Sequence, residues 1–279
     1  MSALGTSTWR QHQVEWNDDR VARFWDQLAH EQGGPSLYFA GAVGRGVVRL
    51  ARRFMTLRGR ILDYGCGPGH LAEHLLAAGA LCEGADFSPE SVSKANARLA
   101  HQPRWAGAQV IREARLPHTD GTFDAIFCLE TIEHVLATHL DPMLTELHRV
   151  LKPCAGLLFL TTPHDETLAD SMICCPECGC AFHRYQHVRA FTRGQLVALM
   201  EKHGFRTLTC AATDLSRFQK PLWPGLLDLT PRRAARLGWS AAARVMDFCH
   251  LPPYRPGGHW AAQFLGHGPN LFWIGSRPE

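Results

Sequence analysis

The stretch Ile61-Leu62-Asp63-Tyr64-Gly65-Cys66-Gly67-Pro68-Gly69-His70 decides the fold. A short apolar strand ends in an acidic and an aromatic residue. It then runs into three glycines at alternate positions, and residues 69–78 continue with helical spacing. A strand that breaks into a glycine turn and re-forms as a helix lets the main chain approach a ligand, with the first helical N–H groups pointing at it. A dinucleotide fingerprint needs G-x-G-x-x-G. Here the third glycine stands one place early and position 70 is His, so the loop suits a ligand without a pyrophosphate better than it suits NAD.

Working outward, strand and helix patterns alternate. Arg60–Tyr64 and Leu81–Asp86 read as the first two strands, and Ser88-Pro89 opens a helix with a serine cap and proline at its first position. Gln109–Arg112 and Asp124–Leu129 read as strands three and four. Asp141-Pro142 reads as a helix start, and Gly156–Thr161 as the fifth strand. Thr192-Arg193-Gly194-Gln195 is a capping box, and Gly204 closes that helix. Phe205–Cys210 and Asn270–Gly275 complete seven strands. This alternation predicts an α/β doubly wound sheet. Ahead of it, residues 14–31 carry Val21, Phe24, Trp25 and Leu28 on one helical face, and a second helix carries Val43, Val47, Leu50, Ala51 and Phe54. The expected organisation is a helical N-terminal cap (1–57), a ligand-binding domain (58–214 and 270–279), a Cys-rich insert (166–190) and a C-terminal insertion, read as a substrate lid (215–269).

Asp86 ends the second strand, 23 residues after Asp63. A carboxylate there can accept both ribose hydroxyls of a nucleoside, so loop and acid together describe an adenosine-type site. The rest of the composition is permissive. The 279 residues are 46% apolar and 20% charged, with 29 basic and 26 acidic side chains for a net +3, which excludes a disordered or fibrous chain. No apolar run approaches the ~20 residues of a membrane span. Met1–Gly5 has no basic-then-apolar pattern, so no signal peptide is expected and the expected location is cytoplasmic.

Together these segments resemble the class I S-adenosylmethionine-dependent methyltransferases. The match covers about residues 55–215 and the last strand: the glycine loop, Gly84-Ala85-Asp86-Phe87-Ser88, Asp120-Gly121-Thr122-Phe123-Asp124 and Leu151-Lys152-Pro153. The resemblance implies a seven-stranded sheet and S-adenosyl-L-methionine as cofactor. Gly65, Gly67 and Gly69 would lie along its methionine and ribose, Asp86 on the ribose hydroxyls and Phe87 beside the adenine, with Asp63 and Leu129 also in the cofactor site. The family's acidic residue for the adenine amino group stands four before a Leu-Pro pair. Counting back from Leu116-Pro117 gives Arg112, which leaves Glu113 or the main chain for that contact.

Glu130, Glu133 and His134 follow the fourth strand and share one face if a helix begins there, which makes a divalent-metal half-site. Acidic residues in a first helical turn are also favoured by the helix dipole alone. The Glu-x-x-Glu-His arrangement resembles that of the ubiquinone-pathway O-methyltransferases. With the later His187 it is similar to that of the small-RNA 3′-terminal 2′-O-methyltransferases. The resemblance implies that Glu130, Glu133, His134 and His187 ligate one Mg²⁺ or Zn²⁺, and that His134 or His187 takes the acceptor's proton. Such a metal would suit a vicinal-diol or catechol-like acceptor.

Ten cysteines with four between positions 174 and 180 read as a metal knuckle or as reduced thiols. The expected ligands for a structural Zn²⁺ are Cys175, Cys178, Cys180 and His183. The basic segment Pro231–Arg236, with Trp239 and Arg244, could meet RNA or an anionic membrane surface, and also reads as a solvated helix face. The expected function is O-methylation of a small-molecule, quinone-precursor or glycan hydroxyl. RNA 3′-terminal methylation is the alternative, disfavoured by the mild charge and the lack of an RNA-binding module. A non-catalytic cofactor-binding or zinc-scaffold protein is the alternative from another class.

Overall fold

The computed structural model describes residues 9–30, 38–112, 115–218 and 268–279. The elements are, in chain order, β1 (His12–Gln13), α1 (Asp18–His30), α2 (Phe39–Ala51), β2 (Arg60–Tyr64), α3 (His70–Ala77), β3 (Leu81–Asp86), α4 (Pro89–Leu99) and β4 (Trp105–Val110). They continue with β5 (Ala125–Leu129), α5 (Ala137–Val150), β6 (Leu157–Pro163), β7 (Met172–Cys174), β8 (Cys180–His183), α6 (Arg193–Lys202), β9 (Arg206–Thr213) and β10 (Asn270–Ser276).

Seven strands form one sheet in the order β4-β3-β2-β5-β6-β10-β9. The strands up to β6 pair in parallel, and β10 enters antiparallel between β6 and β9. The order reverses beside β2, so its carboxyl end opens at the switch point where open α/β sheets bind ligands. Two apolar clusters cover the faces. One gathers α5 and α6 residues such as Leu144, Leu147 and Met200. The other gathers α2 and α3 residues such as Val47, Leu50 and Leu75. Phe127, Phe159 and Phe272 stack across β5, β6 and β10, with centroids 5.4 and 6.1 Å apart.

The local signals act as their chemistry dictates. Ser88 Oγ accepts from the Ser91 amide, and the Thr192–Gln195 box closes reciprocally. Three boundaries differ from expectation. The third strand of this sheet, β4, runs over Trp105–Val110, because the ladder from Cys82↔Trp105 to Asp86↔Val110 outweighs the local Val110-Ile111 signal; Ile111 adds only one bond, to Asp86 O. Helix α5 starts at Ala137, so Asp141-Pro142 lies inside it; the Asp141 carboxylate pairs with Lys202, the last residue of α6, and His203 just after it instead of capping. The N-terminal segment is not a purely helical cap: β1 pairs with β8, forming a second sheet, β1-β8-β7, with the Cys-rich insert. Of the C-terminal insertion, positions 219–267 lie outside the described residues, and with them the basic segment 231–236, Trp239 and Arg244.

Candidate active site

Strand β2 delivers the glycine loop to the carboxyl edge of the sheet. Gly65 sits at φ +76°, where a Cβ would come within 2.3 Å of Thr131 Oγ1, so the loop closes against the segment after β5 only with glycine there. Gly65 and Cys66 donate to Ala85 O at 2.8 and 3.2 Å, locking the loop to β3. Asp86 reaches back across this seam. Its Oδ2 accepts from the Gly67 amide at 2.8 Å and its Oδ1 from Ser88 at 2.9 Å. Burial raises the Asp86 pKa and these donors oppose the rise. Each oxygen keeps a further lone pair for a ribose hydroxyl.

Asp63 lies deeper. It is buried, its Oδ2 has no hydrogen-bond partner, and its pKa is pushed up to about 7 by burial first and by the charge of Asp86 second. An unpartnered buried carboxylate oxygen beside a glycine loop fits a ligand carrying cationic groups, as a sulfonium amino acid does. Tyr38 lies 3.5 Å from where a Gly67 Cβ would stand, and its ring centroid is 5.4 Å from His70. Gly69 caps α3 in the left-handed conformation, and Leu129 ends β5 beside the loop. The Arg112 guanidinium lies 5.1 Å over the Phe87 ring, so the residue standing where an acid was expected covers one face of that aromatic. Glu113 lies outside the described residues.

On the other side of β5 the chain turns rather than coils into a helix. Residues 130–136 are irregular, and Glu130 takes φ +43° with its amide bonded to Thr161 O at 3.0 Å. The shared helical face expected for Glu130, Glu133 and His134 is therefore absent. The turn nevertheless brings Glu133 and His134 together with His187, each offering one ligand atom within 4.8 Å of the others. Glu130 stands outside that group, although its Oε1 is buried and unpartnered. Glu133 is fully buried. Thr162 Oγ1 donates to its Oε2 at 3.0 Å, while its Oε1 has no hydrogen-bond partner and lies 3.8 Å from His134 Nε2. Burial, then repulsion from Glu130, raises the Glu133 pKa; burial alone is the main cause pushing Glu130 to about 8. His134 is driven down to about 3 by burial and by His187, so its ring is neutral, and its Nδ1 is unpartnered. Several buried carboxylate and imidazole atoms left without partners at one point fit a divalent cation.

Partners absent from the sequence reading complete the arrangement. Glu166, just after β6, binds His187 Nδ1 at 2.5 Å and lies 3.4 Å from His183 Nε2, so Glu166, His183 and His187 form a second gathered group that shares His187. Gln186, at φ +60°, is a buried hub: its Oε1 accepts from Trp25 Nε1 and its Nε2 donates to His134 O, both at 3.0 Å. Arg189 donates to Ile132 O at 2.7 Å and also to Val135 O, tying the segment after His187 to the turn. Trp25 stands edge-on to His134 at 4.7 Å. The His187–His183 pair at i, i+4 and the acid at Glu166 were visible as residue types. No local signal joined them, because the contact spans β6, the insert and the turn.

The expected set Cys175, Cys178, Cys180 and His183 is not brought together. Three positions along β8 place His183 on the opposite face from Cys180: His183 is buried against Glu166 and His187, while Cys180 and Cys175 are half-buried and Cys178 is exposed.

Comparison with known proteins places the chain in a family. A family model described as Methyltransferase domain matches residues 10–209. A ubiquinone biosynthesis O-methyltransferase of Parvibaculum lavamentivorans is 35% identical over 116 residues, which are 41% of this chain and 43% of that protein. A norajmaline N-methyltransferase of Rauvolfia serpentina is 34% identical over 107 residues, 37% of this chain and 36% of its own. The chain thus spans less than half the length of these two relatives. A SAM-dependent methyltransferase structure from Methanosarcina mazei superposes with a TM-score of 0.55 at 16% identity, covering 82% of this chain and 98% of the other, a likeness of fold alone. With the family model spanning most of the chain and the glycine loop and Asp86 in place, the chain belongs to the Methyltransferase domain family, within the class I S-adenosylmethionine-dependent methyltransferases.

Proposed function

We propose that the chain transfers the methyl group of S-adenosylmethionine to a hydroxyl of a small diol- or catechol-like acceptor, and that a divalent metal, Mg²⁺ or Zn²⁺, held by Glu133, His134 and His187 assists. The observation that carries this reading is the gathering of those three side chains, with unpartnered buried atoms, at the carboxyl end of β5 beside the glycine loop. The ubiquinone-biosynthesis relative is named for O-methylation and the norajmaline relative for N-methylation; the gathered metal-ligating side chains support the oxygen.

S-adenosylmethionine, when bound, supplies a methyl on a sulfonium and leaves as a neutral thioether. A divalent ion, when bound, lowers the pKa of a hydroxyl and holds two neighbouring oxygens. The chain does the rest. The Gly65–Gly69 loop and Asp86 position the cofactor, and Asp63 gives its cationic part a carboxylate. Glu166 holds His187 through Nδ1, which leaves Nε2 to ligate the ion beside Glu133 and His134, and the hydroxyl acidified by that ion releases its proton to solvent. Trp25 and Gln186 pack against His134 and hold it in place.

The test is Glu133→Gln assayed on a catechol panel with metal content measured. The expected loss is on the order of 10³ in kcat/KM, with one ion fewer per chain and unchanged affinity for S-adenosylhomocysteine. Undiminished methylation by the variant, or by wild type after chelation, overturns the metal's part.

A further inference from the structure

We infer that the outer face of the β1-β8-β7 sheet is a second metal site, for Zn²⁺, formed by Cys175, Cys178 and Cys180 with His12 as its fourth ligand. The register brings them to one place. Cys174 pairs with Ala181, and one step on Cys175 stands opposite Cys180, its amide bonded to Cys180 O at 2.9 Å. On the other side of β8, His12 pairs in parallel with Cys180. Directly paired residues point to the same face, about 5 Å apart. Thus His12, Cys180 and Cys175 form a row across three strands, and Cys178 comes over it from the Pro176–Gly179 turn.

Two further features prepare the ligands. The Glu177 and Cys178 amides donate to the Cys175 sulfur, as the turn of a knuckle does. His12 Nδ1 lies 3.3 Å from Arg10 O. That bond fixes the ring and leaves Nε2 for a metal, the usual second hydrogen bond of a ligating histidine. Gly179, at φ +79°, has no room for a Cβ, which would lie 2.4 Å from Arg10 O, so the N-terminal segment is seated directly on the knuckle. The ligand atoms are not gathered like those of the two buried clusters. The backbone is in place, and exposed or half-exposed side chains have only to turn about χ1. On binding, three thiols release three protons to solvent, leaving a tetrahedral S₃N complex. The site would staple β1 to the insert. Just beyond β1, Trp16 packs on Phe182, and α1 carries Trp25 to His134. The stapled segment therefore forms part of the reacting centre's wall.

This inference is independent of the catalytic metal. The experiment is zinc stoichiometry and cobalt substitution on the full chain. Glu133→Gln, which lacks the active-site ion, should still retain one tightly held zinc, and its cobalt form should show tetrahedral d–d bands with a thiolate charge-transfer band of three-sulfur intensity. Cys178→Ser and Cys180→Ser should lose the ion. His12→Gln should weaken zinc binding at least about tenfold and shift the d–d bands. Cys174→Ser, on the opposite face of the hairpin, should change neither. A two-sulfur spectrum in Glu133→Gln, an unchanged affinity and spectrum in His12→Gln, loss of zinc in Cys174→Ser, or a Cys175–Cys178 disulfide in place of zinc would each overturn it.

Discussion

The cofactor half and the acceptor half of this site meet at Gly65 and Thr131, and they are built in opposite ways. The cofactor half is made of one continuous stretch, residues 61–70, and one strand end, Asp86. Its form is set by backbone: positive-φ glycines, amide donors and the seam from the loop to Ala85 O. The acceptor half is made of side chains from five places: Trp25, the turn with Glu133 and His134, Glu166, His183, and the Gln186–Arg189 segment. Its form is set by long-range hydrogen bonds and burial. Backbone-built sites are robust to distant change and intolerant of a single Cβ. Sites built from side chains tolerate backbone variation and fail when one partner goes.

The largest expected effect tests whether the cofactor half stores free energy that its ligand releases. Asp63 has its folded pKa raised to about 7 from an ordinary 3.8. Between those values the native state holds a proton that the unfolded chain has released. The contribution is therefore full below about pH 4, falls as pH rises, and is gone above about 7. That is about 4 kcal/mol for a shift of this size. The difference in unfolding free energy between wild type and Asp63→Asn, followed from pH 4 to 8 without cofactor, should carry this slope. Saturating S-adenosylmethionine should flatten it, because its cationic groups favour the ionised carboxylate. A flat difference without cofactor would show that Asp63 is solvated and that the loop is not strained in this way.

The next effect probes the seam. Gly65→Ala places a methyl 2.3 Å from Thr131 Oγ1 at φ +76°. Left-handed strain and the displaced side chain together cost about 2–3 kcal/mol. Cofactor affinity should fall by about that amount, read by calorimetry with S-adenosylhomocysteine. Because Thr131 adjoins the acceptor turn, the double variant Gly65→Ala with Thr131→Ala, which removes both clashing atoms, should recover part of the loss. If it recovers none, the two halves are coupled elsewhere.

The same contrast explains what the sequence made legible. The βαβ core, the loop, Asp86 and the caps at Ser88 and Thr192 are local signals, each complete within a few residues. Asp141-Pro142 imitated such a signal, because an Asp-Pro pair has the same composition whether it caps a helix or sits one turn inside it. The acceptor half gave up its residue types but not their partners. Glu130, Glu133 and His134 stood out as a cluster, yet the helix meant to align them is a turn. Chain spacing grouped His183 with the cysteines, and strand alternation then sent it to the opposite face of β8. Glu166, Gln186 and Tyr38 carried no signal, since each is defined by a contact far away in sequence.

Gln186 offers the finest test of the contrast, because it touches the metal group only through the His134 carbonyl, not through a ligand atom, and joins three segments. Removing its amide in Gln186→Ala leaves Trp25 Nε1 and His134 O buried without partners, at about 1–3 kcal/mol in all. The backbone at φ +60° is kept, so the loss belongs to the side chain alone. If the acceptor half is held by such bonds, kcat should fall severalfold while affinity for S-adenosylhomocysteine stays constant, and Gln186→Glu should restore little, since its carboxylate cannot donate to His134 O. The Trp25→Phe variant removes the same bond from the other end, so combining it with Gln186→Ala should cost less than the sum of the two singles. An equal fall in cofactor affinity would mean that Gln186 braces the whole carboxyl edge of the sheet, and the division into two independently built halves would have to be given up.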